Sequence, residues 1–192
     1  MDTLTEQKNP EKTKPGFFKD TLRFVILAFL IVIPIRFFVA QPFVVSGASM
    51  DPTFNDGEYI IVDELSYRFD EPERGDPIIF KYPKDTSKYF IKRIIALPGE
   101  TIRIIGTEIF IQNSENPEGF KLEENYIYPG NAKEDDISLT LKNDEYFVMG
   151  DNRRSSLDSR YWGPLPRKLI VGRPFVRLFP FMSLGFFPGE SE

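Results

Sequence analysis

The chain has 192 residues, a formal net charge of -5, and neither histidine nor cysteine. Its length suits one core of ordinary size, and its acidic balance argues against a nucleic-acid footprint. Without histidine or cysteine there is no Ser-His-Asp triad, cysteine nucleophile, disulfide, or His- or Cys-based zinc site. Any acyl-transfer chemistry must take its base from a carboxylate, a lysine or an amino terminus.

Residues 1–20 are polar and rich in lysine and proline, and read as a disordered arm. An apolar run follows, TLRFVILAFLIVIPIRFFVAQPFVV. From Leu22 to Ala40 it reaches the ~20 residues that a bilayer-spanning helix needs. Arg36 then snorkels or the helix tilts, and Pro34 is tolerable inside a membrane helix. The predicted anchor covers 21–42. Two other readings compete with it: a buried core helix, and a cleaved leader, for which the bulky Phe38 of Phe38-Val39-Ala40 fits a small-x-small site badly. Lys8, Lys12, Lys14, Lys19 and Arg23 precede the span, and no Lys or Arg stands between Arg36 and Arg68. The positive-inside rule then puts the N-terminus in the cytoplasm and the rest of the chain on the extracytoplasmic face, whether periplasmic, extracellular or lumenal.

After the anchor, short β-rich runs replace helical periodicity, at 58–62, 77–82, 89–97, 101–105, 108–112, 138–141 and 146–149. Asn55-Asp56-Gly57, Arg74-Gly75-Asp76, Leu97-Pro98-Gly99 and Pro129-Gly130 punctuate them as turns. The expected fold is mainly β: an antiparallel-sheet, partly open, barrel-like domain over 43–174, behind one N-terminal transmembrane helix. The polar, acidic segment at about 112–136 reads as a small cap inserted into it. The aromatic tail, 175–192, either packs on the barrel or dips into lipid headgroups.

Three segments carry residues capable of chemistry. Ser46-Gly47-Ala48-Ser49-Met50-Asp51-Pro52-Thr53 is a plain loop or a tight turn with exposed hydroxyls. Lys92 lies in Tyr89-Phe90-Ile91-Lys92-Arg93-Ile94-Ile95-Ala96, where alternation puts it on one face with Phe90, Ile94 and Ala96. There it is either an edge-strand gatekeeper pointing into water or a desolvated amine with a lowered pKa, suited to act as a base near neutral pH. The segment from Gly150-Asp151-Asn152 to Arg160-Tyr161-Trp162-Gly163 is a solvated loop or a hydrogen-bonded polar knot that holds a site rigid. Together they offer a nucleophile, a base and an orienting shell.

In order along the chain stand Ser49-Met50-Asp51-Pro52, Arg74-Gly75-Asp76, Lys92-Arg93 with Leu97-Pro98-Gly99, and Gly150-Asp151-Asn152 with Ser156-Leu157-Asp158-Ser159-Arg160. On these blocks, over roughly 22–174, the chain resembles the type I signal peptidases, serine–lysine peptidases that cut signal peptides from exported preproteins. The resemblance implies Ser49 as nucleophile and Lys92 as general base, acting through an acyl-enzyme. It also implies Ser156 hydrogen-bonded to the amine, and ion pairs joining Arg93 to Asp151 and Asp158 to Arg160. Met50 then contacts substrate or membrane. Some members carry an oxyanion-hole hydroxyl two residues before the nucleophile, where this chain has Gly47, so the hole falls to backbone N–H groups, chiefly that of Ser49, with Gly47 as a second candidate. Phe43, Val45, Phe90 and Ile91 flank the pair and are expected to wall shallow pockets for small side chains. The implied partners are signal-peptide-bearing preproteins and the bilayer; a monomer needing no metal or cofactor is expected. The competing reading is a non-enzymatic, membrane-tethered β-domain that binds peptides or partner proteins, and a self-cleaving serine–lysine repressor would need a basic DNA-binding domain where this chain has an apolar run.

Overall fold

The computed structural model describes residues 17–38 and 40–189. The arm expected over 1–20 lies outside them up to residue 16, and so does the end of the tail at 190–192. The chain divides into two units, Met1–Phe37 and Phe38–Glu192.

The described part of the first unit is the helix α1, Phe17–Phe38, 22 residues long, whose last residue is counted with the second unit. Its described side chains run from Lys19 to Val32 and are almost all exposed, Phe24, Leu30 and Val32 among them. Among the described residues, no helix is long and apolar enough to cross a membrane.

The second unit is built of antiparallel strands: β1 (Ala40–Val44), β2 (Tyr59–Asp63), β3 (Pro77–Tyr82), β4 (Asp85–Ala96), β5 (Thr101–Gly106), β6 (Glu108–Gln112), β7 (Phe120–Lys121), β8 (Asp135–Thr140), β9 (Glu145–Met149), the short helix α2 (Ser159–Trp162), β10 (Leu165–Pro166), β11 (Ile170–Phe179) and β12 (Gly185–Phe186). An 8-stranded sheet has the order β1-β2-β11-β3-β4-β9-β10, with β12 added on β11; a 4-stranded sheet has the order β7-β6-β5-β8. The larger sheet is open, since β1 and β10 end it rather than pair with each other. Residues 40–42, expected at the end of the anchor, belong to β1 and pair with β2. Phe175 to Phe179, expected in the tail, belong to β11.

Local chemistry accounts for these elements. The β3, β5 and β6 strands are isoleucine-rich, and β-branched side chains fit a pleated, half-buried surface. The β5–β6 hairpin closes between Ile105 and Glu108 through Gly106, whose φ of 63° suits glycine. Ile95, Ile102, Ile104, Ile109, Ile111 and Phe147 make one core cluster, where the two sheets meet; Ile78, Phe80, Ile94 and Val148 centre a second, and Met50, Phe54, Ile60 and Ile79 a third. Each such side chain stabilises the fold by roughly 1.5–3 kcal/mol through burial. Glu100 ties the sheets together by polar contact: it accepts from Arg74 Nη2 at 2.6 and 2.7 Å, from Leu97 N at 2.8 Å and from Asn113 Nδ2 at 2.9 Å.

Candidate active site

Register brings the three chemical segments together. β4 pairs with β3 from Asp85 to Arg93, but with β9 only from Arg93 onward, where Arg93 faces Met149. Lys92 is therefore the last residue of β4 before its second neighbour begins, and the loop at Gly150 that follows β9 lies beside it. The turn carrying Ser49 joins β1 to β2, and its Ser49 carbonyl accepts from Asn152 N at 3.1 Å.

At the meeting point, Lys92 Nζ lies 2.6 Å from Ser49 Oγ and donates to the Ile91 carbonyl at 2.8 Å. Lys92 is only 4% exposed, which rules out a gatekeeper directed into water. Burial pulls its pKa from 10.5 down to about 8, against the opposing pull of Asp158 and Asp151. The Phe90 ring stands 5.5 Å from the amine. A cavity of about 290 Å3 opens in front of the pair. Phe43, Val45, Phe90 and Ile91 all line it, joined by Ser155 and Leu157, which sequence reading did not single out.

Behind the pair, two bidentate ion pairs hold the Gly150 loop. Arg93, 1% exposed, donates to Asp151 from Nε at 2.9 Å and Nη2 at 2.6 Å, and from Nη1 to the carbonyls of Gly75 and Gly189 at 2.7 Å. Thr53, the end of the Ser46 segment and given no role by the sequence, donates its hydroxyl to the same Asp151 carboxylate at 2.6 Å. Arg160 donates to both oxygens of Asp158 at 2.8 Å, and Asp158 also accepts from Gly150 N at 3.1 Å. Arg153, read only as one of several alternating charges, is buried, bonds the Gly150 carbonyl at 3.0 Å and forms an ion pair with Glu124.

Three expectations need correction. Ser156 makes no hydrogen bond to Lys92: its Oγ is buried without a partner, pressed so close to Gly150 that a Cβ there would meet it at 2.3 Å. Gly47 N–H is not available to an oxyanion, because it donates to Asp56 Oδ1 at 2.7 Å in a turn where the glycine φ is +87°. The Ser49 N–H, by contrast, donates to nothing among the described residues. Met50 does not line the cavity; it is 1% exposed and packs with Val45, Phe54, Ile60 and Ile79. Met50→Ala should therefore lower unfolding stability by about 2–5 kcal/mol, while Met50→Leu should cost less than about 1.5 kcal/mol. Denaturant titration of the two variants checks this, and equal stability of wild type and Met50→Ala would remove Met50 from the core.

Among the described residues no group of three or more carboxylates is placed to hold a metal ion. A buried amine against a turn hydroxyl, at the head of an apolar trough, is chemically equipped for acyl transfer: the amine, when neutral, can take the proton of a hydroxyl nucleophile. The family model described as signal peptidase, peptidase S26, matches residues 18–179. A probable signal peptidase I-2 of Synechocystis is 37% identical, over 97% of this chain and 83% of that one. Signal peptidase I of Leptolyngbya laminosa is 38% identical over 83% and 78% of the two chains. A crystal structure of a signal peptidase I from Enterococcus faecalis V583 is 30% identical, covers 54% of this chain and 97% of that one, and has a TM-score of 0.46. The chain belongs to the signal peptidase family, peptidase S26. Membership makes it a serine endopeptidase whose reaction is the removal of signal peptides.

Proposed function

We propose that Ser49 is the nucleophile of this peptidase and Lys92 its general base. The observation that carries the reading is the 2.6 Å separation of Lys92 Nζ from Ser49 Oγ, at an amine whose burial brings its pKa down to about 8. With the amine neutral, one N–H holds the Ile91 carbonyl and the lone pair takes the Ser49 proton as Oγ attacks the scissile carbonyl. The oxyanion sits on the unengaged Ser49 N–H. Protonated Lys92 then gives its proton to the leaving amine, and an ester to Ser49 remains. Water, deprotonated by the neutral Lys92, hydrolyses it.

The substrate segment is the stretch before the cut in a preprotein, with small residues at alternate positions. An extended peptide presents alternate side chains to one face, and Phe43, Val45 and Ile91 leave a shallow apolar trough for them. β1 ends its sheet, and β4 before Arg93 lacks a neighbour on one side, so both offer backbone groups to such a strand. The apolar run that precedes β1 anchors the chain in the bilayer with its arm in the cytoplasm and the strands from β1 to β11 outside, the aromatic tail after β11 lies at the lipid surface, and one chain suffices. The bulky apolar side chains exposed on α1 support the anchor, and Phe181, Met182 and Phe186, exposed on the second unit, support the lipid contact of the tail. Incubating the detergent-solubilised chain with a preprotein should release a product whose new N-terminus follows a small-x-small sequence. N-terminal sequencing reads this directly, and an intact preprotein or a cut elsewhere would sink the reading.

A further inference from the structure

The trough does not end at the apolar pockets. A second cavity, of about 680 Å3, opens beyond them and shares Tyr89 with the first. Register explains the continuity. Phe43 faces Ile60, and Ile79 faces Ile91, and these four residues line the first cavity. Two residues further along the same strands, Gln41 on β1 faces Val62, and Lys81 on β3 faces Tyr89; Gln41, Lys81 and Tyr89 line the second. A step of two residues returns a strand to the same face about 7 Å along. The two cavities are successive lengths of one trough.

Its chemistry changes between them. The second cavity is lined by Arg68, Lys81, Arg167 and Lys168 against Glu64 and Asp144, so cations outnumber carboxylates. Arg167 is engaged, by Glu71 at 3.0 Å and the Tyr67 carbonyl at 2.6 Å. The side chains of Arg68, Lys81 and Lys168 are exposed and form no hydrogen bond or ion pair among the described residues, although Glu64 faces both Arg68 and Lys81. Their positive ends are available to a ligand reaching them along the trough.

We propose that this cationic basin is the upstream end of the substrate trough, where it receives the residues four to six positions before the cut and favours acidic side chains among them. The inference rests on the reading that Ser49 and Lys92 cut a peptide whose small residues fill the apolar pockets. Given that, Tyr89, three residues from Lys92, lies about 10 Å along the strand. A substrate in extended form spends its first three upstream residues over that distance and enters the basin with the next ones.

The test uses the full chain in detergent and preproteins identical except for Asp, Gln or Lys at the fifth position before the cut. The Asp form should show a kcat/KM about three- to fivefold above the Gln form, and the Lys form a similar factor below it, as expected for exposed charge pairs. Added salt should flatten the series. In the Lys81→Glu/Lys168→Glu double variant the ranking should invert. If the Gln form is cut at the right bond but charge at the fifth position leaves kcat/KM unmoved, or the double variant keeps the wild-type ranking, this inference falls and the dyad reading stands. A double variant that loses binding to phosphatidylglycerol vesicles while its substrate ranking stays unchanged would make the basin a lipid site and overturn the proposal as well. If none of the series is cut, the dyad reading falls and takes this inference with it.

Discussion

Lys92→Arg should lower kcat/KM by roughly 10²–10⁴-fold, the usual range for removing a general base, and Ser49→Ala should do at least as much, because the two act as one unit. Arginine keeps the positive charge but stays protonated at any working pH and has no lone pair for the Ser49 proton. Near-normal turnover by Lys92→Arg would remove Lys92 from the mechanism. The wild-type profile gives a second reading of the same group. Only the neutral amine acts as base, so kcat/KM should climb with pH and level off above the Lys92 pKa of about 8. A flat profile between pH 6 and 9 would contradict the assignment.

The same depressed pKa has a cost in stability, and its sign follows from linkage. Below pH 8 Lys92 is charged in both the folded and the unfolded chain, and the fold carries the full penalty of burying the charge. Between about 8 and 10.5 the folded chain binds fewer protons, so stability contributed through this group rises with pH. At 1.36 kcal/mol per pKa unit the penalty is roughly 3 kcal/mol. Lys92→Met should therefore be more stable than wild type at pH 6, by about 1–3 kcal/mol after allowing for the lost hydrogen bonds, and the difference should shrink by pH 10. Unfolding curves of the two proteins at both pH values measure it.

The sequence made some of this site legible and hid the rest for identifiable reasons. Isoleucine-rich runs between Gly and Pro turns mark β3, β5 and β6 because pleat, burial and turn chemistry agree over a few neighbouring residues. β11 escaped because Pro174, Arg173 and Arg177 break its pattern; a proline is tolerated there because the pairing with β2 shifts register between Pro174 and Val176. β1 was absorbed into the apolar run before it, since an edge strand of Ala40–Val44 differs little in hydropathy from the end of a membrane helix. The pairing of Ser49 with Lys92, which the structure brings to 2.6 Å, was legible because the absence of histidine leaves few bases and their flanking blocks keep family order. Met50 misled, because adjacency to a turn hydroxyl says nothing about which way the next side chain faces. Ser156 misled for a similar reason: its hydroxyl is buried beside Gly150 without a hydrogen-bond partner, a placement made by the loop and not by spacing. The cationic basin was invisible, since Arg68, Lys81 and Lys168 come from separate stretches of chain that only the sheet unites.

Asp151→Asn should destabilise the fold by about 3–5 kcal/mol, the cost of leaving one partner of a buried ion pair uncompensated. Arg93 and Asp151 are almost wholly inaccessible, and the bidentate geometry uses Nε and Nη2 on the two carboxylate oxygens. In the amide variant one guanidinium donor faces an NH₂ group and the positive charge stays buried. Arg93 also grips the Gly75 and Gly189 carbonyls and lies over the Tyr126 ring at 4.0 Å, so its displacement would loosen several segments at once. A purely structural role would stop there. Asp151 also helps to hold the Lys92 pKa up against burial, so its neutralisation should move the acid limb of the kcat/KM profile to lower pH in whatever fraction folds. Unfolding titration reads the first effect and the pH profile the second. A variant as stable as wild type would mean that Arg93 finds another counter-charge, and a destabilised variant with an unmoved limb would confine Asp151 to holding the loop.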